Sequence, residues 1–119
     1  MATREITTHK AHEQDRQPVL TALGHPTIAG AEQDYEICYA GPDGKDVLVP
    51  INFVSLELPG ITNEALLAIV KDRLEGFQAG KFPCQENEDA LAGVNHALKY
   101  LHKRTLDRIA RGVESKATA

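Results

Sequence analysis

The chain has 119 residues, a formal net charge of −4 and no Trp. This length suffices for one compact domain but not for separate substrate and cofactor domains, which argues against a multistep enzyme. No stretch approaches the roughly 18 to 20 apolar residues of a membrane span, and the polar start does not resemble a secretory signal. We therefore expect one soluble, cytoplasmic domain with no membrane partner. Because aromatic side chains are few, oligomerisation would add stability.

Positive charge is concentrated near the C-terminal end of the chain. Residues 1–60 contain nine Asp or Glu and four Lys or Arg, whereas residues 99–111 contain five Lys or Arg and one acidic residue. Non-specific binding of duplex nucleic acid requires many phosphate contacts over an extended surface. An acidic chain with one local basic patch is better suited to a small anionic ligand.

The first third of the chain carries few structural signals. Residues 1–33 show no helical or strand period and contain two prolines and two glycines, so we expect a flexible or loosely packed arm. Residues 34–58 contain two aromatic and β-branched runs separated by the turn sequence GPDG, which predicts a β-hairpin. Pro50 cannot donate a ladder hydrogen bond, so the second strand should be an edge strand or be broken there.

Residues 61–114 have the pattern of two helices. Thr62 is a good N-cap, and apolar residues at three- and four-residue spacing predict a first helix from about Asn63 to Gln78. The second helix opens with acidic residues and closes with arginines before Gly112, the order that helix ends prefer, and should span about 25 residues. Its apolar face follows a heptad rhythm through Leu91, Val94, Leu98, Leu101 and Thr105.

The predicted fold class is therefore α+β. A small β-hairpin over residues 34–58 precedes a long antiparallel two-helix hairpin over residues 61–114. We group both in a single domain, residues 34–119, and expect the heptad face to pack on the first helix and on a neighbouring copy.

Three arginines near the end of the second helix lie on one helix face. Arg104, Arg108 and Arg111 are spaced four and three residues apart, and each like-charged neighbour costs roughly 0.2 to 0.5 kcal/mol unless an anion intervenes. In a structural interpretation they complement the helix dipole and pair with Asp107, which is within reach of Arg104 and Arg111. Alternatively they bind phosphate, whose oxygens suit guanidinium forks. Spacing alone favours the structural interpretation.

The connection between the helices contains residues with two interpretations each. Phe77 and Phe82 are typical of side chains that close a core, although one of them could stack on a purine. Asn87 either caps the second helix or contacts a base or ribose edge. Cys84 lies near a helix N-terminus, where thiols gain reactivity, but a nucleophilic role is disfavoured.

No catalytic or metal-binding pattern emerges from the sequence. The two serines, Ser55 and Ser115, are not in a GxSxG context. His96 and His102 are six residues apart and do not share a helix face. Two cysteines are too few for a tetrahedral metal site. We expect no enzymatic activity, no metal and no cofactor.

The segment Ile61–Glu114 resembles a known family. Its GFQ sequence, its F-x-C-x-EN loop and its LHKRT-x-x-R-x-x-RGVE tail are similar to the helical-hairpin domain shared by two phage counter-defence sponges, one directed against CBASS and one against Thoeris. The resemblance implies a protein of the host cytoplasm that sequesters an immune signalling nucleotide without cleaving it. The strand-rich segment ahead of the hairpin is more similar to the Thoeris-type branch, which implies glycocyclic ADP-ribose as ligand, with cyclic di- or trinucleotides as further ligands.

The same resemblance assigns roles to five residues. It implies that Phe77 stacks on adenine, that Asn87 makes a polar contact, and that Arg104 and Arg108 grip the phosphates, with the base held one loop away. Thr105 would belong to a separate symmetric site for cyclic trinucleotides. In that family the nucleotide site lies between protomers of a hexamer built from dimers, so a homo-oligomer is implied.

The chain departs from the family pattern at three places. Gln85 stands where Arg is usual, Ser115 where Gly is usual, and LPG replaces an NG-type turn before the first helix. The Gln85 change removes a positive charge near the loop and so bears on which ligand is bound. Two rival functions are a nucleic-acid-binding phage regulator and a purely structural oligomeric helical protein. The net acidity argues against a long nucleic acid as partner.

Overall fold

A computed structural model describes residues 2–13 and 17–112 and divides the chain into two compact units between Gly60 and Ile61. The first unit is a four-stranded antiparallel sheet and the second is a pair of helices, so the predicted α+β class is confirmed. The predicted β-hairpin and helical hairpin, which we grouped in one domain, thus lie in separate units. The predicted end of the hairpin at Glu114, and Ser115, lie outside the described residues.

The sheet has its strands in sequential order. They are β1 (Arg4–Ile6), β2 (Val19–Ala22), β3 (Asp34–Ala40) and β4 (Asp46–Asn52). The predicted β-hairpin corresponds to β3 and β4, and Gly44 in its turn has a φ of 81° that favours glycine. β4 is an edge strand, which confirms the position predicted from Pro50.

The structure corrects the expectation for residues 1–33 by placing β1 and β2 there. These strands are only three and four residues long, too short to display a two-residue period. They are specified by their partners: Ile6 lies opposite Leu20, and Leu20 lies opposite Ile37. Cross-strand packing of this kind is invisible to local propensity.

A polar cluster fixes the connection between β2 and β3. The Glu32 carboxylate accepts hydrogen bonds from the backbone N–H groups of Gly24 (2.7 Å), His25 (2.8 Å) and Asp34 (3.1 Å). Desolvation raises the pKa of Glu32, but these donors outweigh it and hold the pKa below its ordinary value. Hydrogen bonds from Asn52 (2.8 Å) and His25 (2.9 Å) lower the pKa of Asp34 in the same way. The cluster therefore favours both carboxylates in their charged forms.

The second unit consists of α1 (Asn63–Ala79) and α2 (Gln85–Ala110), close to the predicted bounds. Thr62 is confirmed as the N-cap of α1, since its Oγ1 accepts the Ala65 N–H at 3.1 Å. The cap of α2 is Cys84, whose Sγ accepts the Asn87 N–H at 3.4 Å. The interpretation of Asn87 as the cap is therefore wrong.

The two helices pack along a regular seam. Half-buried or buried residues of α2 recur at heptad spacing, so the predicted face extends by one position at each end: Asn87, Leu91, Val94, Leu98, Leu101, Thr105 and Arg108. The half-buried residues of α1 include a set with the same spacing: Glu64, Leu67, Lys71, Leu74 and Gln78. Three of the five predicted site residues thus share a helix face with the apolar core of this unit.

Leu98 anchors the seam, and its truncation should destabilise the helical unit. Leu98 is 9% exposed, whereas Phe82, in the connection between the two helices, is 85% exposed. We expect Leu98→Ala to lower the free energy of unfolding by about 2–3 kcal/mol, because it removes buried methyl groups and leaves a cavity. Phe82→Ala is the control and should change it by less than about 0.5 kcal/mol. Urea denaturation followed by circular dichroism at 222 nm measures both, and equal unfolding midpoints would contradict the assignment.

Candidate functional site

The two ends of the helical unit carry opposite charge. Residues 85–89, at the start of α2, contain three acidic residues and no Lys or Arg, whereas residues 103–111 contain four Lys or Arg and one acidic residue. We call residues 77–89, which include the connection between the helices, the loop end. We call residues 103–111 the arginine end. Positive charge near a helix C-terminus and negative charge near an N-terminus are both favourable, so each end is stable as it stands.

At the arginine end, the structure distinguishes Arg104 from Arg111. The carboxylate of Asp107 pairs with Lys103 at 2.8 Å. Arg111 donates from Nε to the main-chain oxygen of Asp107 at 3.4 Å, as helix-capping cations do. Arg104 is exposed and forms no hydrogen bond or ion pair with any residue in the described part of the chain. Arg111 therefore contacts Asp107 as the structural interpretation predicts, but through the main-chain oxygen and not the carboxylate. The predicted pairing of Arg104 with Asp107 is wrong.

The far part of α2 extends beyond α1. A hydrogen bond of 3.0 Å joins Gln78 to Glu88 beside the loop, and from there α1 runs back only 15 residues to Asn63. Residues of α2 beyond about position 103 thus have no α1 residue opposite them. Thr105 and Arg108 occupy this extension and are half-buried. They lie on the seam face beyond the N-terminal end of α1.

At the loop end, neither phenylalanine closes the core of the helical unit. Phe77 is 50% exposed and Phe82 is 85% exposed, so that interpretation is wrong for both. The guanidinium of Arg73 lies 5.5 Å from the centroid of the Phe77 ring, a cation–π distance. Phe77 therefore presents an accessible aromatic surface on a helix, which is what stacking on a base requires.

Asn87 is half-buried in the first turn of α2. Its backbone N–H donates to Sγ of Cys84, but its side chain makes no hydrogen bond with another described residue. The carboxamide retains two donors and one acceptor oxygen for a ligand. This favours the second interpretation of Asn87, as a polar contact, now that the cap is assigned to Cys84.

The structure separates the five predicted residues into two groups. Phe77 and Asn87 lie at the loop end, whereas Arg104, Thr105 and Arg108 lie at the arginine end. Seventeen residues of helix separate Asn87 from Arg104, a distance of about 25 Å at 1.5 Å per residue. The resemblance predicts that the residues for the base lie one loop away from those for the phosphates. Within a single chain they lie instead at opposite ends of α2. Each end of one protomer carries only part of the predicted set of site residues.

The pattern of charged and aromatic residues did not reveal Gln78, which joins the two helices at the loop. Its amide forms three hydrogen bonds of 3.0 Å, to the backbone N–H and carbonyl of Cys84 and to the carboxylate of Glu88. Its spacing could have indicated it, because Gln78 continues the heptad pattern of the α1 seam after Leu67, Lys71 and Leu74. A polar residue at an interior heptad position needs partners, and these are near in space but not in sequence.

The part of the chain that the structure describes gives little support for a metal site, a disulfide or a membrane-spanning helix. Within residues 2–13 and 17–112, no three His, Cys, Asp or Glu side chains are grouped so that they could hold a metal ion. Cys38 and Cys84 are free thiols. No helix among these residues is long and apolar enough to cross a membrane.

Comparison with known proteins places the helical unit in a family. Residues 45–106, which are 62 of the 119 residues, match the family described as Acb2/Tad1, hairpin domain. The chain belongs to the Acb2/Tad1 hairpin-domain family. The match begins in the turn before β4, covers both helices and includes Phe77, Asn87, Arg104 and Thr105, while Arg108 lies two residues beyond it. The resemblance found in the hairpin sequence is thereby confirmed.

A relative of this Acb2/Tad1 hairpin protein is Thoeris anti-defense 1 from Bacillus phage SBSphiJ7. The two chains are 47% identical over 55 residues, which are 46% of this chain and 39% of the relative. The matched stretch thus spans about two fifths of the relative's length.

Proposed function

We propose that this protein is a phage anti-defence protein that sequesters an immune signalling nucleotide in the host cytoplasm without cleaving it. Membership of the Acb2/Tad1 hairpin-domain family and the 47% identity to Thoeris anti-defense 1 support the class. The observation that carries the proposal is the state of Arg104, an exposed guanidinium without a partner among the described residues, beside the half-buried Arg108. Such an arginine cluster is stabilised when an anion binds it.

The proposed ligand is a cyclic ADP-ribose isomer of the glycocyclic type. Arg104 and Arg108 bind its phosphates, Phe77 stacks on its adenine, and Asn87 contacts a polar edge of the base or ribose. Thr105 serves a second site that accepts cyclic trinucleotides. The five residues include no carboxylate, imidazole or thiol, so they can bind and orient a nucleotide but have no group suited to take up a proton. This supports sequestration rather than hydrolysis.

The proposed site forms between two copies of the chain. Because the two halves are about 25 Å apart in one helix, a second copy packed antiparallel brings its loop end to the arginine end of the first. The opposite charges of the two ends favour this arrangement over a parallel one. Large apolar side chains on both helices are left exposed and would be covered by it: Ile69, Val70, Phe77, Leu106 and Ile109. Three such dimers would form the hexamer implied by resemblance.

Titration calorimetry against a panel of signalling nucleotides tests the proposal. The panel contains glycocyclic ADP-ribose isomers and cyclic di- and trinucleotides. We expect tight binding of at least one, and heat denaturation of the complex should return that nucleotide with an unchanged mass and chromatographic retention. Recovery of a cleaved product would replace the proposal with a phosphodiesterase. Binding of none, with a salt-dependent mobility shift of duplex DNA or RNA, would replace it with the nucleic-acid regulator.

A further inference from the structure

We infer that Gln78 is a positioning residue of the nucleotide site, which sets the loop-end half of the site before ligand arrives. This inference rests on the proposed function. Gln78 itself is half-buried on the α1 seam and does not need to touch the nucleotide. It acts on the two residues proposed to hold the base, Phe77 beside it in α1 and Asn87 in the first turn of α2.

The contacts of Gln78 show how one side chain fixes the start of α2. Its Oε1 accepts the backbone N–H of Cys84, and its Nε2 donates to the Cys84 carbonyl and to Oε2 of Glu88, each at 3.0 Å. Both polar groups of the Cys84 peptide backbone are thereby held by α1. Cys84 in turn caps α2 through the Asn87 N–H at 3.4 Å, and its carbonyl accepts the Glu88 N–H at 3.2 Å. The position of Asn87 relative to α1 therefore depends on Gln78.

The connection between the helices has little else to hold it. Residues 80–83 are all exposed, and Phe82 is 85% exposed, so no apolar burial anchors them. The backbone hydrogen bond of the connection itself is from the Gly80 N–H to the Phe77 carbonyl at 3.2 Å, which ends α1 and does not reach α2. Loss of the Gln78 amide would allow the first turn of α2 to shift against α1. Contacts that must be ordered at binding reduce affinity, whereas preorganised contacts do not.

Removal of the Gln78 amide is expected to weaken binding in a protein that is still folded. With glycocyclic ADP-ribose as the probe, Gln78→Ala should raise Kd about tenfold, because the loop must then be ordered by the ligand. Asn95→Ala is the matched control: it removes an exposed amide from α2 that makes no hydrogen bond with the described residues, and Kd should stay within about twofold. Measurements at 10 °C, with helix content verified by circular dichroism, keep all variants folded.

A reciprocal exchange separates positioning from general stability. Gln78→Glu replaces the amide donor by a carboxylate, which repels the carboxylate of Glu88. This change should raise Kd about thirtyfold. Adding Glu88→Gln restores a hydrogen bond in which the residue 88 amide donates to the residue 78 carboxylate, and the net charge equals that of the wild type. The Cys84 carbonyl still accepts the backbone N–H of residue 88. We expect the double variant to fall back to about tenfold above the wild type, because the repulsion between the two carboxylates is removed while the donor to the Cys84 carbonyl stays lost; this non-additive result identifies direct coupling.

The outcomes distinguish this inference from the proposed function. Wild-type binding with unchanged Kd in folded Gln78→Ala overturns the positioning role and leaves the proposed function standing. Equal Kd for Gln78→Glu and the double variant also overturns it, because a loss unrelated to the Gln78–Glu88 bond would not be rescued. Failure of the wild type to bind any nucleotide of the panel overturns both.

Discussion

Arg104→Ala is expected to weaken nucleotide binding about a hundredfold while changing the free energy of unfolding by less than about 0.5 kcal/mol. The guanidinium is exposed and has no partner among the described residues, so the folded protein loses no contact there when it is removed. In the proposed complex it makes charge-assisted bonds to phosphate, worth roughly 1.5–3 kcal/mol. Adding Arg108→Ala should bring the loss to about a thousandfold. Calorimetric titration with glycocyclic ADP-ribose and urea denaturation measure the two quantities.

Arg111→Ala is the matched control for this loss. It removes the same charge seven residues, or about two helical turns, beyond Arg104. The Arg111 side chain already contacts the main-chain oxygen of Asp107, so it should contribute to the helix end and change Kd by less than about threefold. Equal losses for Arg104→Ala and Arg111→Ala would show that the cluster attracts the ligand only as diffuse charge. No loss for either would favour the purely structural protein.

The helical unit could be predicted from sequence because its signals are local. Thr62 offers a cap, and the heptad rhythm through Leu98 repeats over five positions, so both helices have nearly the expected bounds. The sheet could be predicted only in part. The β3–β4 hairpin has a turn of four characteristic residues between two seven-residue strands, whereas β1 and β2 exist through pairing with partners distant in sequence.

The candidate site shows the same division between local and distant causes. Asn is a better cap than Cys by intrinsic preference, yet Cys84 caps α2. The reason lies on the other helix, where Gln78 holds the Cys84 backbone and so starts α2 earlier. The pairing of Asp107 with Lys103 rather than with Arg104 is likewise a choice among three neighbours that spacing alone does not decide.

The separation of the two half-sites, in contrast, follows from arithmetic that the sequence already contains. Once α2 is known to be a helix, 17 residues between Asn87 and Arg104 give about 25 Å. A single chain cannot close that distance around one small nucleotide. The proposed site therefore requires an interface between copies, and variants in different halves should complement one another.

A mixture of two binding-deficient proteins is expected to regain binding. Phe77→Ala removes the stacking surface at the loop end, and Arg104→Ala removes a phosphate contact at the arginine end. A site formed between copies is intact when its loop end comes from the Arg104→Ala chain and its arginine end from the Phe77→Ala chain. With random exchange of equal amounts, about one quarter of the sites meet this condition, in a dimer or in a hexamer. Titration of the co-refolded mixture should give that stoichiometry with wild-type affinity.

A second mixture, of Phe77→Ala with Asn87→Ala, controls for effects of mixing itself. Both changes fall in the loop-end half, so every site receives one damaged loop end whichever chain supplies it, and no wild-type sites form. Binding in the first mixture and none in the second can arise only if the loop end and the arginine end of a site belong to different chains. Absence of binding in both, with exchange verified by native mass spectrometry, would place all ligand contacts within one protomer. The charge complementarity of the two ends would then serve assembly alone.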